Sequence, residues 1–287
     1  RRAATAGVVL VGTLYPLFIE LGGGAPVSVG PPYFDAAATP LLIVLLLLVP
    51  LAPFLPWANG GAKPALKQLH AVFLLLPVAG AGITLILFGA PVMAVIAGAL
   101  GAWALSGAVM DLVRHWPAAK SRALRFAVSG RALAHAGLGA IAIGAAADAS
   151  RPPDVTRVLA PGESLEIAGE TLTLTGIRRA DGPNYLADRA TMTVSGGGVI
   201  EPERRYYWAA GQHTREVGLG SSIAGDLYLS IGEARPREDG TAAYEVRAAF
   251  HPLVWMLGLG ALAIVIGGLL AVISQILVRR ASREASA

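Results

Sequence analysis

The stretch RALAHAGLGAIAIGAAADA, Arg131 to Ala149, decides the fold class of this chain. An apolar run of about 20 residues covers about 30 Å as a helix, the thickness of a bilayer's hydrocarbon core. Within it stands His135, the one histidine inside an apolar span, and an ionisable side chain at such a position is costly enough to need a specific partner. On a helix its stripe also holds Ala132, Leu138, Gly139, Ala142 and Ala146, because stripe neighbours recur three, four, seven and eleven residues apart. Most of that stripe is small. A row of glycine and alanine beside an imidazole suits two kinds of neighbour: the backbone of another helix, or a flat macrocycle whose iron the imidazole ligates. The spacing leaves both open.

The rest of the chain agrees with a membrane protein. Of its 287 residues, 54% are hydrophobic and 15% charged, and the mean hydropathy is +0.59. It opens on Arg1-Arg2 rather than methionine and runs directly into an apolar segment, so a piece of a longer protein, or a separately encoded part of one, is expected. Apolar runs predict a six-span α-helical bundle with spans at about Ala4–Glu20, Thr39–Trp57, His70–Phe88, Pro91–Leu112, Arg131–Ala149 and Pro252–Leu277. Lys63, Lys67, Arg114, Lys120, Arg122 and Arg125 lie on two connections, and Arg1, Arg2, Arg279, Arg280 and Arg283 at the chain ends. Charge gathered on alternate connections follows the positive-inside rule, which puts both ends in the cytoplasm. The basic balance is thereby explained by a lipid bilayer, and nucleic acid is not expected as a partner. Trp116, Leu124 and Phe126 among the basic residues of 113–130 predict a short interfacial helix there. Asp111 is expected to face cytoplasmic water.

Residues 150–250 differ in kind, with eleven Arg, no Lys and fourteen Asp or Glu. Glu170-Thr-Leu-Thr-Leu-Thr-Gly176, Ala190-Thr-Met-Thr-Val-Ser195 and Asp226-Leu-Tyr-Leu-Ser230 alternate as strands do. Turn signals at Asp181-Gly182-Pro183-Asn184, Gly196-Gly197-Gly198 and Glu238-Asp239-Gly240 separate them. A small all-β domain on the outer side is predicted, a sandwich or partly open barrel. The domain reading is therefore 1–149, a membrane domain of five helices; 150–250, the outer β domain; and 251–287, the last helix and a cytoplasmic tail.

Cysteine is absent, which excludes disulfides, thiol exchange and cysteine-held zinc or iron–sulfur centres within the chain. The five histidines, at 70, 115, 135, 213 and 251, show no local metal-site spacing. Surface or interfacial placement accounts for His70, His115, His213 and His251. No Gly-Xaa-Ser-Xaa-Gly or phosphate-binding loop is present, and no catalytic residue is assigned.

Gly12-Thr-Leu-Tyr-Pro16, Ser28-Val-Gly-Pro-Pro-Tyr-Phe34, Ala134-His135-Ala-Gly-Leu138, Gly182-Pro-Asn-Tyr185, Asp226-Leu-Tyr228 and Gly232-Glu233 follow one another in an order that resembles CcmF-type cytochrome c haem lyases. The resemblance runs over nearly the whole chain and matches the carboxy-terminal part of that family, without its tryptophan-rich amino-terminal part. It implies a subunit of the bacterial inner membrane, with its β domain in the periplasm, that joins haem from the haem chaperone CcmE to apocytochrome c alongside subunits such as CcmH. It implies that His135 is one axial ligand of a b-type haem whose other ligand lies in the missing part, and that the chain alone is inactive. Where the family often carries Lys-Pro before the last span, this chain has His251-Pro252. The rival reading from the residues is a membrane scaffold or transporter subunit without a cofactor.

Overall fold

The computed structural model describes residues 11, 14–15, 18–23, 37–54, 70–88, 90–238 and 240–284. Most of the first expected span, the Gly12–Pro16 and Ser28–Phe34 motifs in large part, and Lys63 and Lys67 lie outside the described residues. The chain divides into two units, one of residues 1–86, 92–143 and 258–287, the other of 87–91 and 144–257.

The first unit is helical. Its described elements are α1 (Thr39–Leu48), α2 (His70–Phe88), α3 (Val92–His115), and most of α4 (Arg122–Ala149) and α5 (Trp255–Glu284). Among the described residues α3, α4 and α5 are long and apolar enough to cross a membrane. In lipid a helix satisfies every backbone polar group within itself, which is why these three runs can take no other form there. α1 is only 10 residues and gives way to a 3₁₀ turn at Ala52–Phe54, while α2 carries Pro77 inside it. The structure thus supports a helical part with three such spans among the described residues, and the six-span bundle is not confirmed. The expected interfacial helix is absent: Ser121 accepts the backbone N–H of Leu124 at 3.2 Å and caps α4, which then runs unbroken for 28 residues, about 42 Å. The basic residues Arg122 and Arg125 are its first turn rather than a separate element.

Glycine sets how closely these helices meet. A Cβ on Gly137 would lie 2.5 Å from the carbonyl oxygen of Gly260, and one on Gly130 would lie 2.6 Å from that of Gly267. The pairs 130/267 and 137/260 fix α4 and α5 as antiparallel, with contacts repeating every seven residues, the period of a shallow crossing. On α3, Gly101 meets Gly139 and Ile143 of α4, and Gly107 meets Pro50.

The second unit is a β-sandwich. One sheet has the order β1 (Val155–Leu159), β10 (Ala242–Pro252), β9 (Gly225–Pro236), β8 (Gly218–Ser221). The other runs β2 (Ser164–Ile167), β3 (Glu170–Asp181), β4 (Leu186–Val194), β6 (Glu203–Tyr207), β7 (Gln212–Glu216), with β5 (Val199–Ile200) on β4. All pairings are antiparallel. The alternating residues Leu172, Leu174, Ala190, Met192, Leu227, Leu229 and Ile231 point inward from both sheets and form the core with Val246 and Ala248. The chain turns at the first two expected signals, and at the third, whose Asp239 lies outside the described residues, the Gly240 N–H donates to the Arg237 carbonyl oxygen at 3.0 Å. Glu203 is a buried carboxylate at the start of β6; burial opposes its ionisation, yet bonds from Arg205 and Arg189 outweigh that and hold its pKa below the usual range.

Candidate functional site

His135 sits near the middle of α4, half-buried, with its Nδ1 atom buried. Its stripe neighbours Ala132, Ala142 and Ala146 are buried as well. At 100° per residue Gly130 and Gly137 lie on the opposite face, so His135 points away from α5. Gly139 lies close to the histidine's direction, and a Cβ there would stand 2.8 Å from the Gly101 carbonyl oxygen and 2.9 Å from Cγ of Leu105. The small residue at 139 therefore admits α3, and any flat ligand would have to lie elsewhere along the stripe. Among the described residues no group of three or more His, Cys, Asp or Glu is placed to hold a metal ion. A haem needs only one protein nitrogen on each side of its iron, and a neutral imidazole in an apolar helix suits one such position.

One turn before His135, Arg131 forms a bidentate bond to Asp111 of α3, Nε to Oδ2 at 2.8 Å and Nη2 to Oδ1 at 2.7 Å. Asp111 is wholly buried rather than facing water. His115 meets the same carboxylate, Nδ1 to Oδ1 at 2.7 Å, and its ring stands 5.8 Å from that of Phe54. The antiparallel hairpin of α3 and α4 creates this cluster, bringing positions 20 apart in sequence into one ion pair. An aspartate near the end of an apolar span was the signal available in the sequence, and Arg131 the nearest cation on the next one.

In the second unit His251 is also held by a carboxylate, Nδ1 to Oδ1 of Asp148 at 2.6 Å, and packs edge-on to Tyr228 with ring centres 4.6 Å apart. Beside it a cleft of about 250 Å³ on the outer face of the four-stranded sheet is lined by Tyr228, Ser230, Arg247, Arg151 and Asp154. Arg151 and Arg247 share Asp154. The Arg247 bond, helped by Arg151 and opposed by burial, lowers the Asp154 pKa from its ordinary value. His213 is exposed and stacked against Tyr206 at 4.8 Å, as expected for a surface position. His70 begins α2, its side chain lying outside the described residues. The structure leaves His135, Asp111–Arg131–His115 and Asp148–His251 as separate groups, the last in a different unit from the others.

Comparison with known proteins places the chain. The family profile of the CcmF C-terminal β-sandwich matches residues 154–252. The cytochrome c-type biogenesis protein ccl1 of Rhodobacter capsulatus is 34% identical over 272 residues, which cover 93% of this chain and 41% of the relative. The cytochrome c-type biogenesis protein CcmF of Pseudomonas fluorescens is 34% identical over 279 residues, 94% of this chain and 42% of the relative. A solved structure of the cytochrome c haem lyase CcmF has the same fold, with a TM-score of 0.73 at 21% identity over 94% of this chain and 43% of that one. The chain thus spans about two fifths of the length of the curated relatives it matches.

Proposed function

We propose that this chain, a member of the CcmF family corresponding to its carboxy-terminal part, works in the attachment of haem to apocytochrome c. The observation that carries the reading is His135, an imidazole on an apolar helix within the Ala134–Leu138 motif of that family. In this reading His135 supplies one axial nitrogen to a b-type haem, and the second comes from the part of the family that the chain does not cover. Such a haem, when bound, supplies electrons that keep the iron of the incoming haem reduced. The chain's own contribution is to hold the imidazole. Residues four apart share a stripe, so the Arg131–Asp111 pair, one turn away, fixes the rotation of α4 about its axis at His135. The close approach at Gly101 and Gly139, one turn on the other side, fixes its distance from α3. Together they hold the ring's position without touching iron.

The further assignments follow from family membership and the charge pattern. The helices cross the bacterial inner membrane, the β-sandwich lies in the periplasm, and the partners are the haem chaperone CcmE, apocytochrome c and maturation subunits such as CcmH. The rival, a scaffold without cofactor, draws on the packing role of Gly139. The test uses the complete protein with its amino-terminal part. His135→Ala should abolish or weaken its b-type absorption at unchanged protein level and stop cytochrome c maturation. His135→Gly should do the same while opening a gap beside the iron, into which added imidazole enters and partly restores the spectrum. An unchanged spectrum with full maturation after His135→Ala would replace ligation by packing as the role of this helix.

A further inference from the structure

We infer that the turn between β8 and β9, centred on Ile223, is a membrane-interface anchor that seats the β-sandwich on the phospholipid surface where α5 enters the bilayer. Three observations converge on it, all within the second unit. Trp255 is the first residue of α5, a helix whose apolar core reaches a mean hydropathy of 2.6, and its indole N–H donates to the carbonyl oxygen of Ile223 at 2.9 Å. Tryptophan at the mouth of a span settles at the lipid–water boundary, its ring in the acyl edge and its N–H on a polar partner. Here that partner is the backbone of the turn, so Ile223 shares the depth of the indole.

Next, Ile223 is 87% exposed on a turn that is otherwise firmly held. The Ser222 backbone N–H and hydroxyl both donate to the Gly225 carbonyl oxygen, at 3.0 and 2.8 Å, and the Leu253 N–H donates to the Ala224 carbonyl oxygen at 3.0 Å. Gly225 approaches β10 so closely that a Cβ would stand 2.4 Å from the His251 carbonyl oxygen. A large apolar side chain held outward by so many bonds has no solvent role, but meets an apolar medium if the surface below it is lipid. The third observation is that Asp148, in the last turn of α4, is bonded to His251 at 2.6 Å, so the end of β10 that packs on this turn is itself tied down. The occupant is the bilayer that α5 enters rather than a soluble partner, because the indole bonded to the turn is the first residue of that apolar helix.

The β9–β10 turn provides the control. It lies at the far end of β9, whose 12 residues extend about 40 Å from the β8–β9 turn. The chain contains no cysteine, so single cysteines at Ile223 and at Glu238 can carry the same polarity-sensitive fluorophore without background. The full chain is reconstituted in phosphatidylcholine–phosphatidylglycerol vesicles. For Ile223→Cys, emission should shift to shorter wavelength, be lost to nitroxide-labelled lipid, and be quenched several-fold less by iodide than for Glu238→Cys. Iodide quenching at 223 equal to that at 238 overturns the proposal, because the turn is then in water. Protection from both quenchers also overturns it, because protein rather than lipid then covers the turn.

Discussion

Asp111 shows how one carboxylate constrains two helices. It is buried completely, and Arg131 and His115 both bond to it within 2.8 Å. Arg131 is partly exposed but its two bonds go to a buried carboxylate, so Arg131→Ala should lower stability by about 2–3 kcal/mol. His115→Ala leaves the bidentate partner in place and should cost about 1–2 kcal/mol. Unfolding of the purified protein in detergent checks the order; equal losses would show that Arg131 is not the principal partner. Asp154 gives a pH-dependent counterpart in the sandwich. Its pKa is depressed, chiefly by the bond from Arg247, so its stabilising effect is present above the unfolded value of about 3.9 and is lost as pH falls through the lower folded value. The gap in thermal midpoint between the native chain and Asp154→Asn should be steady above about pH 5 and close under stronger acid. A gap that widens on acidification would contradict the assignment.

Between helices, glycine position matters more than glycine content. Gly267 and Gly268 are neighbours on α5, yet a Cβ at 267 would stand 2.5 Å from the Gly130 carbonyl oxygen and one at 268 meets nothing within 4 Å. Gly267→Ala must push two backbones apart and should cost about 1–3 kcal/mol, as overpacking does. Gly268→Ala removes only glycine's helix penalty and should leave stability unchanged or raise it by up to about 1 kcal/mol. Thermal unfolding of both variants, side by side, decides whether the contact at 267 holds α4 and α5 together. The strands obey a similar local logic. The inward residues of β3 and β4 were legible from Thr-Leu-Thr-Leu-Thr and Thr-Met-Thr-Val because alternation is a property of a single strand. The length of α4 was not. Its amphipathic first turn, with Arg122, Arg125 and Phe126, resembles an interfacial helix until the cap at Ser121 is seen.

For the whole molecule, the proposed arrangement places the sandwich outside and the connection between α3 and α4 inside. A membrane-impermeant thiol reagent applied to intact cells should modify Glu238→Cys, and should reach Ser121→Cys only after the membrane is opened. Both positions are exposed, so failure to react reflects the compartment rather than burial. Labelling of Ser121→Cys in intact cells would invert the topology and, with it, the side on which the sandwich works.

By itself the sequence determined the membrane class, the strand-rich segment with its turns, a resemblance to the CcmF family, and His135 as the histidine to explain. These are local properties: span length, alternation, turn chemistry and a short motif. Tertiary structure alone decided that Asp111 is buried against Arg131, that Gly139 receives α3 while Gly130 and Gly137 receive α5, and that His251 meets Asp148 across 103 positions of sequence. Each of these depends on which helix or strand end lies opposite which, a choice made by packing of the whole fold that no single helix or strand encodes.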